Sequence, residues 1–159
     1  MQKETHSLEY KTIALVELAC AMNLVKKVFM RFEAPEYPAE GVQSFLEFIA
    51  LNSISEKAEA GDLSLWGCFE DNNIVGVCAS RNINHVCLMF VDEAYHRRGI
   101  GKRLFDFIKR DVIAHGGYDR ITVNSSPYAL PFYRALGFRD SEPEKIVNGI
   151  RHTPMAYPL

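Results

Sequence analysis

Apolar side chains fall into two rhythms along the chain. Between residues 12 and 32, Leu15, Leu18, Ala19, Met22, Val25, Phe29 and Phe32 recur at three-to-four-residue spacing, with Glu17, Lys26, Lys27 and Arg31 elsewhere. That period predicts a long amphipathic helix, and a short strand is expected before it near residues 7–10. Pro35 and Pro38 restrict the residues preceding them and break the helix over 33–38. Pro38 then suits the first turn of a second helix carrying Val42, Phe45, Leu46 and Ile49. The first third is therefore expected to be a helical hairpin, followed by a polar stretch to Asp62.

The rhythm then changes. Residues 63–69 and 74–80 are short apolar runs joined by the polar 70–73, which predicts a β-hairpin. Gly76 within the second run marks either a bulge or a close approach of another element. The run 86–91 is apolar without alternation, as expected for a central strand covered on both faces. Residues 101–115 form a helix pattern with Leu104, Phe105, Ile108, Val112 and Ile113 inward, closed by Gly116 and Gly117. A short strand at 121–124, parallel to the central one, a helix over 127–136 capped by Gly137, and a final strand within 149–157 complete the pattern. Pro131 fits that helix only if it starts near Tyr128 rather than Ser126.

Composition narrows the class. A chain of 159 residues with 48% apolar and 24% charged residues suits one domain, 1–159, that buries its own core. A net charge of −2 gives no general field for a polyanion, so nucleic-acid binding is not expected. Cys20, Cys68, Cys78 and Cys87 contain no C-x-x-C pair and sit in apolar segments. They predict buried thiols in a reducing compartment, with neither metal nor disulfide framework. The polar start and the absence of a long apolar run predict a cytoplasmic protein without a membrane segment. His6 and His115 have no partner in view.

The candidate chemistry lies in the loop after the central strand. His96-Arg97-Arg98-Gly99-Ile100-Gly101-Lys102 joins strand to helix N-terminus. Glycines let a ligand approach the free N–H groups of the helix start, and the arginines add charge, so the place suits a pyrophosphate; the plain alternative is a solvated basic turn. Nucleoside triphosphate hydrolysis on a P-loop is not expected, because Arg103 follows Gly101-Lys102 where a hydroxyl must stand and His96 holds the first-glycine position. A dinucleotide fingerprint is a weak match, because Leu104 occupies the third glycine position.

Val91-Asp92 followed by His96-Arg-Arg-Gly99-Ile-Gly101 resembles the acetyl-CoA pyrophosphate motif of the GNAT superfamily of N-acetyltransferases, Gln/Arg-x-x-Gly-x-Gly/Ala. Asn124, Ala129, Phe132, Tyr133, Gly137 and Phe138 are similar to the second family signature, on its fifth strand and fourth helix. His96 departs from the usual Gln or Arg. The resemblance covers nearly the whole chain. It implies an α+β, three-layer α/β/α fold whose mixed, mostly antiparallel sheet contains a splayed parallel pair.

The resemblance also implies roles. Acetyl-CoA is the co-substrate, with pantetheine on main-chain groups of Phe90 and Val91 and pyrophosphate on the backbone of Arg98, Gly99, Gly101 and Lys102. The acceptor is a primary amine of an unidentified small molecule or peptide, acetylated directly. A lysine-like amine of pKa ~10.4 carries a deprotonation handicap of about 4.6 kcal/mol at pH 7. His85 stands where relatives carry a base, the Met89 N–H where they stabilise the oxyanion, and Tyr133 where they protonate the departing thiolate. The plain alternatives are a strand-end histidine facing solvent and a tyrosine packed under the sheet. Glu33, Glu36 and Tyr37, in the kinked connection, and Arg151 and His152, near the last strand, are weaker acceptor-side candidates, read first as solvated loop and strand-end residues. Cys87 is read as core, not nucleophile. The rival function is a non-catalytic acyl-CoA-binding module of the same fold. A homodimer through an exposed sheet edge is compatible with the chain.

Overall fold

The computed structural model describes residues 7–159; His6 lies outside them. The order is β1 (Leu8–Thr12), α1 (Leu18–Phe32), α2 (Ala39–Phe48), α3 (Leu51–Glu59), β2 (Leu63–Glu70), β3 (Asn73–Arg81), β4 (His85–Val91), α4 (Ile100–His115), β5 (Arg120–Ser125), α5 (Leu130–Leu136), β6 (Arg139–Asp140), β7 (Lys145–Val147) and β8 (Ile150–Pro158). The sheet runs β1-β2-β3-β4-β5-β8-β6, with β7 paired to β8. Every pairing is antiparallel except β4 with β5. This is the mixed α+β sheet with one parallel pair that the sequence implied.

Two apolar layers sandwich the sheet. On one face α1, α2 and α3 bury Leu18, Val25, Phe29 and Ile54 against Val77, Leu88 and Phe90, and the Phe29 ring stacks on Phe45 with centroids 4.0 Å apart. On the other, α4 and α5 bury Leu104, Ile108, Val112 and Tyr133 against Cys78, Val86 and Val123. The β2–β3 hairpin closes through Asp71 and Asn72, both at positive φ (50° and 66°), as a two-residue primed turn requires. Both possibilities raised for Gly76 hold. The register skips Val75 beside it, and a Cβ on Gly76 would lie 3.1 Å from Ile100 Cγ2 and 3.2 Å from Leu104 Cδ1, so α4 packs directly on its backbone.

Several expectations are corrected. The strand extends to Thr12, a 3₁₀ turn covers Leu15–Glu17, and α1 starts only at Leu18. Leu15 and Ala19 are exposed, while Ala21, Leu24 and Val28 complete the buried face. The polar stretch before Asp62 is the helix α3; a single deeply buried side chain, Ile54, anchors it, too little for an apolar period to register. The hairpin of helices is thus a set of three. Ile113 is exposed, because the buried arc of α4 ends with Val112. The last helix starts at Leu130, leaving Pro131 in its first turn, where a missing N–H costs nothing. The two short strands β6 and β7 were not foreseen. Cys20 is exposed rather than buried, and no cysteine is in a disulfide.

Candidate active site

The site begins where the parallel pair stops pairing. β4 and β5 are in register only at His85↔Thr122 and Val86↔Val123, preceded by a 2.9 Å bond from Thr122 N to the Asn84 carbonyl. Beyond Val86 the strands part. The β3–β4 register passes from Ser80↔Val86 to Ala79↔Leu88, so Cys87 is the extra residue of a bulge. Asp92 N donates to Val75 O at 2.8 Å. Alternation from that bond turns the main-chain groups of Phe90 and Leu88 toward β3 and those of Val91 and Met89 into the gap. The expectation for Phe90 is therefore corrected. Its main chain is committed to Val77, its partner in β3, although the residue lines the cleft.

The loop after β4 floors the opening. Asp92 Oδ1 accepts from Ala94 N at 2.9 Å and starts a 3₁₀ turn over Glu93–Tyr95. Arg97 and Gly99 both take left-handed backbone, φ 64° and 77°. Left-handed residues alternating with ordinary ones curl successive N–H groups into a concave nest, an anion-binding arrangement. The first intrahelical bond here is Arg103 N to Gly99 O, 3.1 Å, so the N–H groups of Ile100, Gly101 and Lys102 lack intrahelical partners, at the positive end of a 16-residue helix. His96 Nε2 donates to the Val91 carbonyl at 2.7 Å, and its ring lies 5.3 Å from that of Phe32. His96 thereby ties the loop to the strand end and to α1.

Between β4, this loop, the end of α1 and the segment 128–133 lies a cleft of about 960 Å³. Of the residues expected from sequence, Met89, Phe90, Val91, His96, Arg97, Gly99, Ile100, Gly101, Lys102, Phe132 and Tyr133 all line it. His85, Arg98 and Asn124 do not. The Arg98 guanidinium lies over the Tyr95 ring, 4.9 Å from its centroid, and Asn124 is an exposed β5 residue opposite Pro154. His85 Nδ1 is 2.8 Å from Thr122 Oγ1, below the point of splay. Burial, then the charges of Arg81 and His152, push its pKa down to about 4. Arg151 pairs with Glu144 at 2.6 Å, and neither it nor His152 lines the cleft. Tyr37 lines a separate groove on α2. His115, expected to stand alone, has its Nδ1 2.8 Å from the Asp111 carbonyl.

Tyr133 is buried in the cleft wall, its ring edge-on to Phe132 and Phe138 with centroids 5.1 and 5.3 Å away. Burial, then the negative charge of Glu33, raise its pKa well above the usual phenol value. It therefore holds its proton at neutral pH. Cys87 is likewise held as a thiol, its pKa pushed up to about 12 by burial, and its Sγ is 3.5 Å from the Ala79 carbonyl.

Glu33 corrects the solvated-loop reading. It follows α1 directly, lines the cleft and accepts a 2.6 Å hydrogen bond from Ser126 Oγ. Burial, the dominant effect, raises its carboxyl pKa, against the opposing bond from Ser126. No local signal in the sequence joins residues 33 and 126; the contact exists only once the end of α1 meets the segment after β5. Among the described residues there is no group of three or more His, Cys, Asp or Glu side chains placed to hold a metal. No described helix is long and apolar enough to cross a membrane.

Comparison with known proteins agrees with this geometry. The profile of the acetyltransferase (GNAT) domain matches residues 33–159. A putative acetyltransferase of Bacillus subtilis is 26% identical over 101 residues, 60% of this chain, and the match spans 66% of that protein's length. Among solved structures, a PaiA N-acetyltransferase from Thermoplasma acidophilum in complex with coenzyme A superposes with TM-score 0.78 at 16% identity, covering 96% of this chain and 99% of that one. A GCN5-related N-acetyltransferase from Rhodopseudomonas palustris gives 0.80 at 18% identity, over 100% and 99%. With a family profile covering most of the chain and a parallel pair splayed over a glycine-loop nest, the chain belongs to the GNAT acetyltransferase family and is an acyltransferase.

Proposed function

We propose that this chain transfers an acetyl group from acetyl-CoA directly to a primary amine. The observation that carries the reading is the splay beyond Val86 and Val123, which opens onto the N–H groups of the loop from Arg97 to Lys102. The residues present suit the co-substrate. The outward Val91 N–H and Met89 carbonyl offer hydrogen bonds to an amide-bearing arm, the Val91 carbonyl being taken by His96. The nest at Arg97 and Gly99, with the start of α4, offers donors and positive potential to a pyrophosphate, and the Lys102 side chain adds charge. Bound there, acetyl-CoA supplies an activated acyl carbon on a thiol leaving group.

This chain's own groups divide the work. The Met89 N–H faces the gap as a donor for an oxyanion forming on the acyl oxygen. Tyr133 holds its proton in an apolar wall and donates it to the departing sulfur, an acid that stays protonated and uncharged at neutral pH. His85, outside the cleft and held neutral, serves the strand end rather than the acceptor. The free cysteines suit a reducing compartment, the cytoplasm.

Calorimetric titration with acetyl-CoA tests the reading. Gly99→Asp is the control, because nothing lies within 4 Å of a Cβ there and the change acts through its charge and the left-handed backbone. Binding by the parent that is lost in the variant supports the co-substrate site. A parent that takes up no acetyl-CoA removes the reading. Release of free CoA with an amine, lost in Tyr133→Phe, then separates an enzyme from a binding module.

A further inference from the structure

The cleft contains a carboxylate that the acetyl-CoA half of the reaction leaves unused. Glu33 lies at the C-terminal end of α1, where Pro35 ends the helix, and its Oε1 is held by Ser126 Oγ at 2.6 Å. The groups facing it are Ser126 and Tyr128 from the segment after β5, Tyr133 from α5, and Glu36 and Tyr37 from the turn after α1. All are neutral or acidic. Of the cations of α1, Lys27 pairs with Asp92 at 3.4 Å, Arg31 pairs with Glu93 at 3.7 Å, and Lys26 is exposed. Among the described residues Glu33 has no ion pair. A carboxylate set into a wall without a cation is costly, and the cost is relieved by protonation or by a cationic ligand.

Beside it, the Phe32 and Tyr128 rings stack with centroids 5.1 Å apart and line the same cleft. The wall thus offers one negative oxygen pair at the end of an aromatic surface. That combination fits an ammonium group on an apolar stem.

We infer that Glu33 receives the acceptor, a primary ammonium on an apolar stem, and takes the proton that makes it nucleophilic. The inference rests on the acetyl-transfer reading. The ammonium gives one proton to the Glu33 carboxylate, and the freed lone pair forms the C–N bond to the acyl carbon. The C–S bond breaks as Tyr133 protonates sulfur, and the phenolate regains a proton from the amide nitrogen. Glu33 releases its proton to solvent. The sum is ammonium plus thioester giving amide, thiol and one proton.

The test uses the whole chain saturated with acetyl-CoA for turnover, or with CoA for binding, and n-butylamine as the acceptor probe. Glu33→Gln keeps an acceptor oxygen for Ser126, so the local fold is preserved. It is expected to lower kcat/KM for n-butylamine about 100-fold, to abolish the acid limb of its pH profile and to leave acetyl-CoA affinity unchanged, with Glu33→Asp recovering part of the loss. A second readout does not need turnover. The ¹³C resonance of the Glu33 carboxyl, identified by its absence in Glu33→Gln, is titrated with n-butylammonium and with n-butanol. The cation is expected to lower the carboxyl's titration midpoint and the alcohol to leave it in place. If Glu33→Gln turns over n-butylamine with the parent's pH profile, or if n-butylammonium leaves the midpoint unmoved in the CoA complex, the role is overturned. Absence of acetyl-CoA binding by the parent would instead remove the underlying reading, and the two failures are distinct.

Discussion

Gly101 and Phe132 are in contact across the mouth of the cleft: a Cβ built on Gly101 would lie 2.8 Å from Phe132 Cε2 and 2.9 Å from Cζ. The glycine is needed for space, since it sits in ordinary helical backbone at the start of α4. A methyl at Gly101 requires the Phe132 ring, which also meets Tyr133 edge-on, to shift. Gly101→Ala is therefore expected to weaken acetyl-CoA binding and lower turnover together, with an overpacking cost of about 1–3 kcal/mol. Adding Phe132→Ala should restore affinity in the double variant. Calorimetric titration of both variants checks this, and an unaffected single variant would show that the contact does not set the cleft.

Tyr133 gives the cleanest separation of binding from chemistry. Its hydroxyl is expected to touch only the leaving sulfur, so Tyr133→Phe should change acetyl-CoA affinity less than about twofold while lowering kcat about 100-fold or more. Burial and the Glu33 charge raise the phenol's pKa. The parent's rate should consequently show no alkaline fall through the ordinary tyrosine range near pH 10. A pH–rate profile of parent and variant with one amine reads both effects. A variant as fast as its parent would return Tyr133 to a packing role.

Much of this architecture was legible because its signals are local. The run from Val86 to Val91, the loop through Gly99 and Gly101, and the periodic α4 are contiguous, and a helix N-terminus binds anions through backbone that adjacent residues determine. Failures occurred where tertiary structure decides. α3 is held by Ile54 alone and shows no period, and Leu15 and Ala19 match the α1 period yet face solvent because the helix begins later. His85 stands at the start of the central strand, but the splay begins just beyond it and leaves it bonded to Thr122. The cleft wall joins Glu33 to Ser126, a pairing between distant segments that no spacing rule reports. The bulge at Cys87 was equally invisible, and it decides which main-chain groups of β4 reach the gap.

The displaced role of His85 has a measurable consequence. Its pKa falls from 6.5 to about 4 on folding, chiefly through burial. Between those values the unfolded chain binds a proton that the folded chain refuses, so stability is full above pH 6.5 and is lost as pH falls toward 4. The loss amounts to about 3 kcal/mol. Urea unfolding of His85→Gln over this range should show a flatter dependence than the parent, while the acid limb of kcat/KM stays where it was. Movement of that limb in His85→Gln would make the histidine, not Glu33, the group that titrates in catalysis.

Glu33 should behave in the opposite sense. Its carboxyl pKa is raised on folding, mainly by burial. Above the ordinary glutamate value near pH 4.3 the unfolded chain has released a proton that the folded chain still holds, and stability declines as pH rises through that window. Gln cannot ionise and can still accept the Ser126 bond. Glu33→Gln is therefore expected to match the parent at pH 4 and to exceed it in stability at pH 7, by denaturant midpoint. The same substitution should depress turnover, the opposition expected where a site keeps a strained charge for its chemistry. A variant less stable than its parent at both pH values would mean that Glu33 braces α1 against β5 rather than waiting for a cation.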